Sequence, residues 1–262
     1  MTMTATPAVA IPQTPPAMAR EVHRAELGRL LDLVAAFTEE DWSRATDCEG
    51  WDVRQMLAHV AGAAEEALHL RVFLRHWVWG PKLRYPQLSR LDAANQCQID
   101  DRHDRSGAQV AAELADIGPK AVEAAGTTFR RRFRLPKSDP LLPGESVVYM
   151  CDVIAVRDTW MHRLDAARAT SREFVIDGHD HEVVAQVVRD LGRHWEGSPV
   201  RLELTGPAGG VWTLGDGSPG ATVRVDAVEY LRTLSGRHDT RALDGTGDDA
   251  AVAAVGAARV VF

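Results

Sequence analysis

The spacing of apolar residues changes along the chain, and this change constrains the fold more than any other feature. Up to about residue 170, apolar side chains recur every three or four residues, which is typical of amphipathic helices. From residue 200 onward, the segments VRLELTG, GVWTLG and ATVRVD alternate with a period of two, which indicates strands. The composition shifts near Thr170 to Gly178, and one more helical segment, DHEVVAQVVRDLGRHW, follows. We therefore predict an α+β protein with two domains, a helical one over residues 20–170 and a small α+β one over residues 178–262.

Four helical patterns fill the first domain and predict a four-helix bundle. They cover residues 20–37, residues 52 to about 77, residues 106–133 and residues 146–169. Asp52 is a suitable N-cap for the second helix, and Gln55 stands at its capping-box position. Gly118 and Pro119 predict a kink or a break in the third helix, and residues 135–145 are predicted to form a loop.

Composition and charge narrow the class of partner. The chain has 262 residues, of which 45% are hydrophobic, and its net charge is −7 with a pI near 5.8. These values are normal for a globular protein, and the acidic balance argues against a nucleic acid or an anionic membrane as partner. No apolar run approaches the ~18 residues that a membrane-spanning helix needs.

The cysteines and the first residues bear on the location of the protein. The three cysteines, Cys48, Cys97 and Cys151, lie far apart and form no zinc-knuckle spacing, so we expect a reducing, cytoplasmic setting. Residues 1–19 are rich in Ala, Thr and Pro and lack a basic segment before an apolar run. We interpret them as a disordered tail rather than a signal peptide.

The segment RDTWMHRLDAAR in the fourth helix places polar groups where the helix should be apolar. Asp158, His162 and Asp165 are spaced by four and three residues, so they share one face of the helix. A buried carboxylate is costly unless something compensates it. A metal ion, a salt bridge and a solvated groove are all possible compensations, and surface pairing of Asp158 with a neighbouring arginine beside a packed histidine explains the same spacing.

A histidine on the second helix makes the metal interpretation more specific. His59 lies beside the apolar stripe of that helix and can face the interior of the bundle, which Asp158 and His162 reach from the fourth helix. Two imidazoles and one carboxylate are a common ligand set for zinc, iron, nickel or manganese. Three protein ligands leave a position open for substrate, as in catalytic rather than structural sites.

The segment FTEEDWSRATDCEGWDVRQMLAHVAG resembles the N-terminal signature of the DinB-like, mycothiol-dependent maleylpyruvate isomerase family. That family has a Trp after the first helix, a connector of the form Thr-x-Cys-x-Gly-Trp and then a helix that reads vRdllaHlag. The fourth helix of the family carries an acid, three residues and a His, and the C-terminal segments LTGPAGGVWTL and VRVDAVEYLRTLSGR resemble its smaller, sterol-carrier-like domain. The matching residues here are Trp42, Thr46, Cys48, Gly50, Trp51, His59, Asp158 and His162.

The resemblance implies a divalent metal, usually zinc, that is held by His59, Asp158 and His162. The acid of the family is most often Glu, and the shorter Asp158 leaves Asp165 as a substitute ligand or as a partner that orients an imidazole. The resemblance also implies mycothiol as a cofactor, and the polar face that ends in Asp165 and Arg168 is a candidate to line its groove. By the same resemblance, Arg237 of the small domain contributes to the site and would suit an anionic carboxylate. Arg237 is equally well explained as a helix-end residue that complements the local dipole.

Together these features predict an enzyme that uses a low-molecular-weight thiol on a small electrophile. The reaction would be an isomerisation of the maleylpyruvate type or an S-transfer, and the sequence does not choose between them. Two other functions remain open: a non-catalytic protein that binds a metal or an apolar ligand, and a metallohydrolase that uses bound water without any thiol. A monomer and a homodimer are both compatible with the sequence.

Overall fold

We describe the fold from a computed structural model, which covers residues 4–127, 132–134, 145–237 and 243–262. The chain divides into two compact units. Residues 16–174 form one unit, which we call the helical unit, and residues 1–15 together with 175–262 form the other, which we call the small unit. Within the described residues, no helix has both the length and the apolar character that crossing a membrane requires.

The helical unit is built from amphipathic helices around one apolar core. The core is formed by side chains such as Leu30, Leu57, Val110 and Leu114, each at most 1% exposed. The principal helices are α1 (Pro16–Ala35), α2 (Val53–Leu68), α3 (Leu70–Leu74), α4 (Arg90–Asp100), α5 (Gly107–Thr127), α6 (Val147–Tyr149) and α7 (Ala155–Ala169). A helical N-terminal region is thus confirmed, and α1, α2, α5 and α7 correspond to the four predicted helices.

The predicted capping box at the start of α2 is confirmed. The Asp52 carboxylate accepts from the Gln55 backbone N–H at 2.7 Å, and the Gln55 side-chain oxygen accepts from the Asp52 N–H at 3.0 Å. These two bonds satisfy backbone donors that have no partner inside the helix. They fix where α2 begins, and therefore which face of the helix His59 occupies nearly two turns later.

Several helix boundaries differ from the predictions. α2 ends at Leu68, and the chain continues as α3 and then as a wide, π-helical segment over Arg75–Arg84. α4 was not anticipated at all. α5 continues through Pro119 without a break because Leu114 and Val122, on either side of it, are buried in the same core. The end of the predicted third helix at 128–131 and the predicted loop at 135–144 lie outside the described residues.

The fourth predicted helix contains a second π-helical segment. α6 runs directly into Met150–Ile154, which is π-helical, and then into α7. One such wide turn changes the direction in which later side chains point. The face of α7 that carries Asp158 and His162 therefore cannot be extrapolated from the apolar residues before Ala155.

The described residues of the small unit form a mixed five-stranded sheet with three α-helices and a short 3-10 helix over Ala8–Ala10. Its strands are β1 (Thr6–Pro7), β2 (Val200–Thr205), β3 (Gly210–Leu214), β4 (Ala221–Asp226) and β5 (Asp244–Gly247), in the order β1-β3-β2-β4-β5. β2 pairs antiparallel with β3 and parallel with β4, so a hairpin and a crossover meet at the central strand. The helices are α8 (Asp180–Arg193), α9 (Ala227–Leu234) and α10 (Asp249–Ala257).

The prediction of a disordered tail over residues 1–19 is wrong for the described part of that segment. Residues 16–19 belong to α1, and Thr6 and Pro7 pair in parallel with β3. Ala8 is fully buried, and a Cβ added at Gly192 of α8 would lie 2.5 Å from the Ala8 Cβ. Tertiary packing of small residues thus orders a segment whose composition alone gives it no periodic apolar face.

Candidate metal centre

α2 and α7 bring His59, Asp158 and His162 together inside the helical unit. The Asp158 Oδ1 atom lies 3.5 Å from the His59 Nε2 atom and 3.3 Å from the His162 Nε2 atom. One ligand-type atom from each of the three residues lies within 4.8 Å of the other two. The two histidines are 7% and 3% exposed, whereas the Asp158 side chain keeps 24% of its surface accessible. Two nitrogen donors and one oxygen donor therefore converge on a point that solvent can reach.

The Nδ1 atom of each imidazole, which is the nitrogen that does not face Asp158, lies against an acceptor. The His59 Nδ1 atom lies 2.6 Å from the Gln98 Oε1 atom, and the His162 Nδ1 atom lies 3.2 Å from the Asp165 Oδ2 atom. A nitrogen that faces a carbonyl or a carboxylate oxygen carries the proton and donates it. If a cation took the place of the proton between Nε2 and Asp158, the lone pair of each ring would be on Nε2, which is the atom that faces Asp158. This is the arrangement of metal-binding histidines, so the donor set fits a divalent metal such as zinc.

The electrostatics of the three groups are strongly coupled. Burial opposes the charged form of Asp158, but the charges and hydrogen bonds of His162 and His59 outweigh it and hold the pKa of the carboxyl well below its usual value. Burial also opposes the charged form of His162, but the charge of Asp158 and the hydrogen bonds to Asp158 and Asp165 raise its pKa well above the usual value. Without a cation, the site therefore draws a proton to balance its carboxylates.

The connector before α2 lines the same site. The Cys48 Sγ atom donates to the Asp165 Oδ2 atom at 3.3 Å and lies 3.8 Å from the His162 Nδ1 atom. The indole of Trp51 is 5.2 Å from the His59 ring and 6.3 Å from the His162 ring, measured between centroids. The connector turns back on itself because the Thr46 hydroxyl donates to the Trp51 carbonyl at 2.9 Å and accepts from the Cys48 N–H at 3.1 Å.

The structure separates the roles that the sequence left open for the polar face of α7. The Asp165 side chain is buried and lies against His162 and Cys48, which matches a partner that orients an imidazole better than a residue lining a groove. The Arg168 side chain is 43% exposed and donates to the Asp47 Oδ2 atom at 3.1 Å. Arg168 is thus accessible at the end of α7.

Arg237 lies in the small unit, directly after α9. Its backbone N–H donates to the Arg232 carbonyl at 3.0 Å, and Gly236 before it has a φ of +79°, which is the usual way a helix ends at a glycine. This position agrees with the helix-end interpretation of Arg237. A contribution of Arg237 to the metal centre stays a prediction.

Sequence reasoning missed one residue that contacts the centre and one that lies near it. Gln98 reaches His59 from α4, a helix that was not anticipated. His23 of α1 lies with its Nε2 atom 3.3 Å from the Thr159 hydroxyl. Burial lowers the pKa of His23 to about 4, against the opposing charge of Asp158, so His23 is neutral at pH 7. The spacing of α1 gave a signal for His23, which follows the core residue Val22, whereas nothing in the sequence marked Gln98.

Comparison with known proteins agrees with this geometry. The model of the mycothiol maleylpyruvate isomerase N-terminal domain matches residues 23–167, which is more than half of the chain. A crystal structure of the mycothiol-dependent maleylpyruvate isomerase has a similar fold, with a TM-score of 0.58 and 14% sequence identity over 94% of this chain and 97% of that chain. The crystal structure of a histidine-to-alanine mutant of the mycothiol-dependent maleylpyruvate isomerase gives the same values. No curated protein matches the chain significantly by sequence. The chain belongs to the family that the mycothiol maleylpyruvate isomerase N-terminal domain defines.

Proposed function

We propose that this protein is a metal-dependent enzyme that uses mycothiol as a thiol cofactor on a small electrophilic substrate. The convergence of His59, Asp158 and His162, with both imidazoles held by acceptors at Nδ1, is the observation that carries the proposal. The reaction would be an isomerisation of the maleylpyruvate type or an S-transfer. Family membership supports the first, and the two solved structures compared above are of the mycothiol-dependent maleylpyruvate isomerase.

The three residues would hold a divalent metal, most simply zinc. When bound, such a metal would lower the pKa of a thiol that coordinates it, so that the thiolate form is available at neutral pH. Two neutral imidazoles and one carboxylate leave the metal with a net positive charge, which suits an incoming thiolate. The accessible edge of Asp158 marks the side from which a thiol can approach.

Other residues of the chain would orient the imidazoles, exclude water and contact the cofactor or the substrate. Asp165 holds the Nδ1 proton of His162, and Gln98 holds that of His59, so neither ring needs to turn when the site is loaded. The indole of Trp51 covers one side of the two imidazoles and excludes water there. Arg168 is proposed to contact the cofactor, and the contribution of Arg237 to an anionic substrate rests on the family resemblance alone.

The proposal also includes a cytoplasmic location. The proposal is compatible with Cys48, Cys97 and Cys151, none of which forms a disulfide in the part of the chain that the structure describes. A low-molecular-weight thiol cofactor needs a reducing environment in order to stay reduced.

Metal analysis and a thiol-dependence assay test the proposal together. The purified protein is expected to contain one divalent metal per chain, and His59→Ala and His162→Ala are expected to lose it while they remain folded. His103→Ala is a matched control, because His103 is exposed and bonds only the Asp100 carbonyl among the contacts described here. Turnover of an activated cis-alkene such as maleylpyruvate should depend on added mycothiol. Full metal content in both histidine variants would refute the ligand assignment, and equal turnover without thiol would favour metal-bound water as the nucleophile.

The spectrum of a cobalt-substituted protein gives an independent measure of the thiol step. Addition of mycothiol should change the visible absorption of bound cobalt, because sulfur would replace an oxygen ligand. An Arg168→Gln variant should need more mycothiol to reach the same change, and an Arg237→Ala variant should bind the thiol normally but turn over an anionic substrate more slowly. Unchanged kinetics in either variant would remove that arginine from the proposal.

A further inference from the structure

A chain of buried polar side chains runs from His59 away from the metal centre. The Gln98 Oε1 atom faces the His59 Nδ1 atom at 2.6 Å, and the Gln98 Nε2 atom donates to the Glu66 Oε1 atom at 2.7 Å. The same Glu66 oxygen lies 2.6 Å from the His76 Nδ1 atom, and the His76 Nε2 atom lies 2.8 Å from the Asp101 Oδ2 atom. Gln98, Glu66 and His76 are 1%, 6% and 0% exposed, so water cannot replace these bonds. We call Gln98, Glu66, His76 and Asp101 together the hydrogen-bond chain.

The donor and the acceptor of each hydrogen bond in the hydrogen-bond chain can be assigned by starting from the end that holds His76. The Trp77 indole N–H is a donor only, and it donates to the Glu66 Oε2 atom at 2.8 Å. Burial opposes the charged form of His76, but hydrogen bonds to Asp101 and Glu66 and the charges of both outweigh it, so the pKa of His76 is raised. A charged His76 donates from both nitrogens, so Glu66 accepts at both of its oxygens.

The orientation of the Gln98 amide follows from that of Glu66. If the amide were turned over, its oxygen would face the Glu66 oxygen at hydrogen-bond distance, and two acceptors would repel each other in a buried site. The amide nitrogen therefore faces Glu66, and the amide oxygen must face His59. His59 then carries a proton on Nδ1, so Nε2, which lies 3.5 Å from the Asp158 Oδ1 atom, is the nitrogen left for a cation.

A close approach of two helices makes the hydrogen-bond chain possible. His59, Gly62 and Glu66 lie at positions i, i+3 and i+7 of α2, on the face that meets Gln98 of α4. A Cβ added at Gly62 would lie 2.5 Å from the Gln98 Cβ and 2.7 Å from its Cγ. Only glycine at this position lets the Gln98 backbone come near enough for a side chain of that length to span His59 and Glu66.

We propose that Glu66, acting through Gln98, is a positioning residue that determines which nitrogen of His59 is available to bind a metal. This inference rests on the metal-binding part of the proposed function. Neither residue touches the reacting atoms. Their effect is to remove the alternative tautomer of His59, in which the lone pair would face away from Asp158.

Substitution of Glu66 by glutamine tests the proposal directly. Glu66→Gln keeps the size of the side chain but allows the Gln98 amide to turn, so both tautomers of His59 become accessible. The affinity for zinc, measured by competition with a chromophoric chelator, is expected to fall about 10- to 100-fold, as for other partners of metal-binding histidines. Glu65→Gln is the matched control, since it removes the same charge from the preceding residue of α2, whose carboxylate pairs with Arg102 at 2.9 Å. Glu65→Gln is expected to bind zinc like the wild type.

Imidazole nitrogen chemical shifts supply a readout that a purely structural role would not move. In the metal-free wild type, the ¹⁵N spectrum is expected to show His59 protonated at Nδ1, and in Glu66→Gln the two ring nitrogens should move toward averaged shifts. Gly62→Ala, which displaces Gln98 without changing a polar group, should give the same averaging. A wild-type His59 that is unprotonated at Nδ1, or Glu66→Gln with unchanged shifts and unchanged zinc affinity, would overturn the proposal. The tautomer measurement requires no metal. A wild-type protein that binds no zinc would therefore refute the proposed function, while the nitrogen shifts of His59 would still test whether Glu66 determines the tautomer.

Discussion

Replacement of Asp165 by asparagine should weaken metal binding even though Asp165 is not proposed as a ligand. The Asp165 side chain is fully buried, and its Oδ2 atom faces both the His162 Nδ1 atom at 3.2 Å and the Cys48 Sγ atom at 3.3 Å. A carboxylate in this position holds the ring of His162 and makes its Nε2 atom a stronger donor. The neutral amide of Asn can keep an acceptor oxygen toward His162 and Cys48 but loses the negative charge.

The size of the effect can be estimated because Asp165 is hydrogen-bonded to His162, a proposed metal ligand, and does not itself bind the metal. Loss of such a partner costs about 10- to 100-fold in metal affinity, and since each factor of ten is about 1.4 kcal/mol, the binding free energy should change by about 1.4 to 2.8 kcal/mol. The assay is competition between the metal-free protein and a chromophoric chelator for zinc, with circular dichroism as a check on folding.

A suitable control is Asp116→Asn, because the Asp116 side chain is 68% exposed and pairs only at the surface, with Lys120 at 2.7 Å. This variant makes the same change of charge and should bind zinc like the wild type. If Asp165→Asn also binds zinc with wild-type affinity, the carboxylate does not act through His162, and the interpretation of Asp165 as an orienting partner is wrong.

Three further predictions concern the stability of the helical unit. Glu26→Gln should lower the free energy of unfolding in urea by about 3–5 kcal/mol. The reason is that the buried Arg163, which pairs with Glu26 at 2.6 Å, would lose this counter-charge. The double variant Glu26→Leu with Arg163→Met should recover most of the loss. Asp41→Asn should lower the melting temperature at pH 7, because hydrogen bonds from the Thr38 backbone N–H and the Arg172 side chain stabilise the Asp41 carboxylate and lower its pKa to about 2. The difference between variant and wild type should vanish as the pH falls from about 4 toward 2, where the carboxylate becomes protonated. Gly107→Ala should destabilise the protein by about 1–3 kcal/mol in the same urea titration, since the new Cβ would lie 2.0 Å from the Trp42 ring.

Local signals in the sequence were sufficient for the helices that carry the centre. Asp52 and Gln55 marked the start of α2, and apolar spacing marked α1 and α7. The spacing of α7 also placed two acids near His162, at i−4 and i+3, but it could not assign their roles. The assignment depends on which ring nitrogen faces which acid, and that is decided by where α2 and the connector pack: Asp158 meets Nε2, and Asp165 meets Nδ1.

Other parts of the fold had no local signal. α4 has the sequence RLDAANQCQID, whose buried positions are mostly small or polar, so no apolar stripe marks it and Gln98 could not be placed. β1 is two residues long and pairs with a strand that lies about two hundred positions later, so alternation could not reveal it. Both elements are determined by close approach of backbones, which depends on Gly62 in one case and on Gly192 in the other.

The pairing of β1 with β3 has a consequence for how the protein is made. Thr6 and Pro7 are synthesised about two hundred residues before Trp212 and Thr213, with which they pair. The helical unit can complete its own core in the meantime, because all of its helices lie between the two. A recombinant protein that starts at Pro16 should keep those helices but leave one edge of β3 uncovered. An uncovered strand edge is a template for pairing with another chain, so this shortened protein is expected to self-associate while the full chain does not do so through that edge.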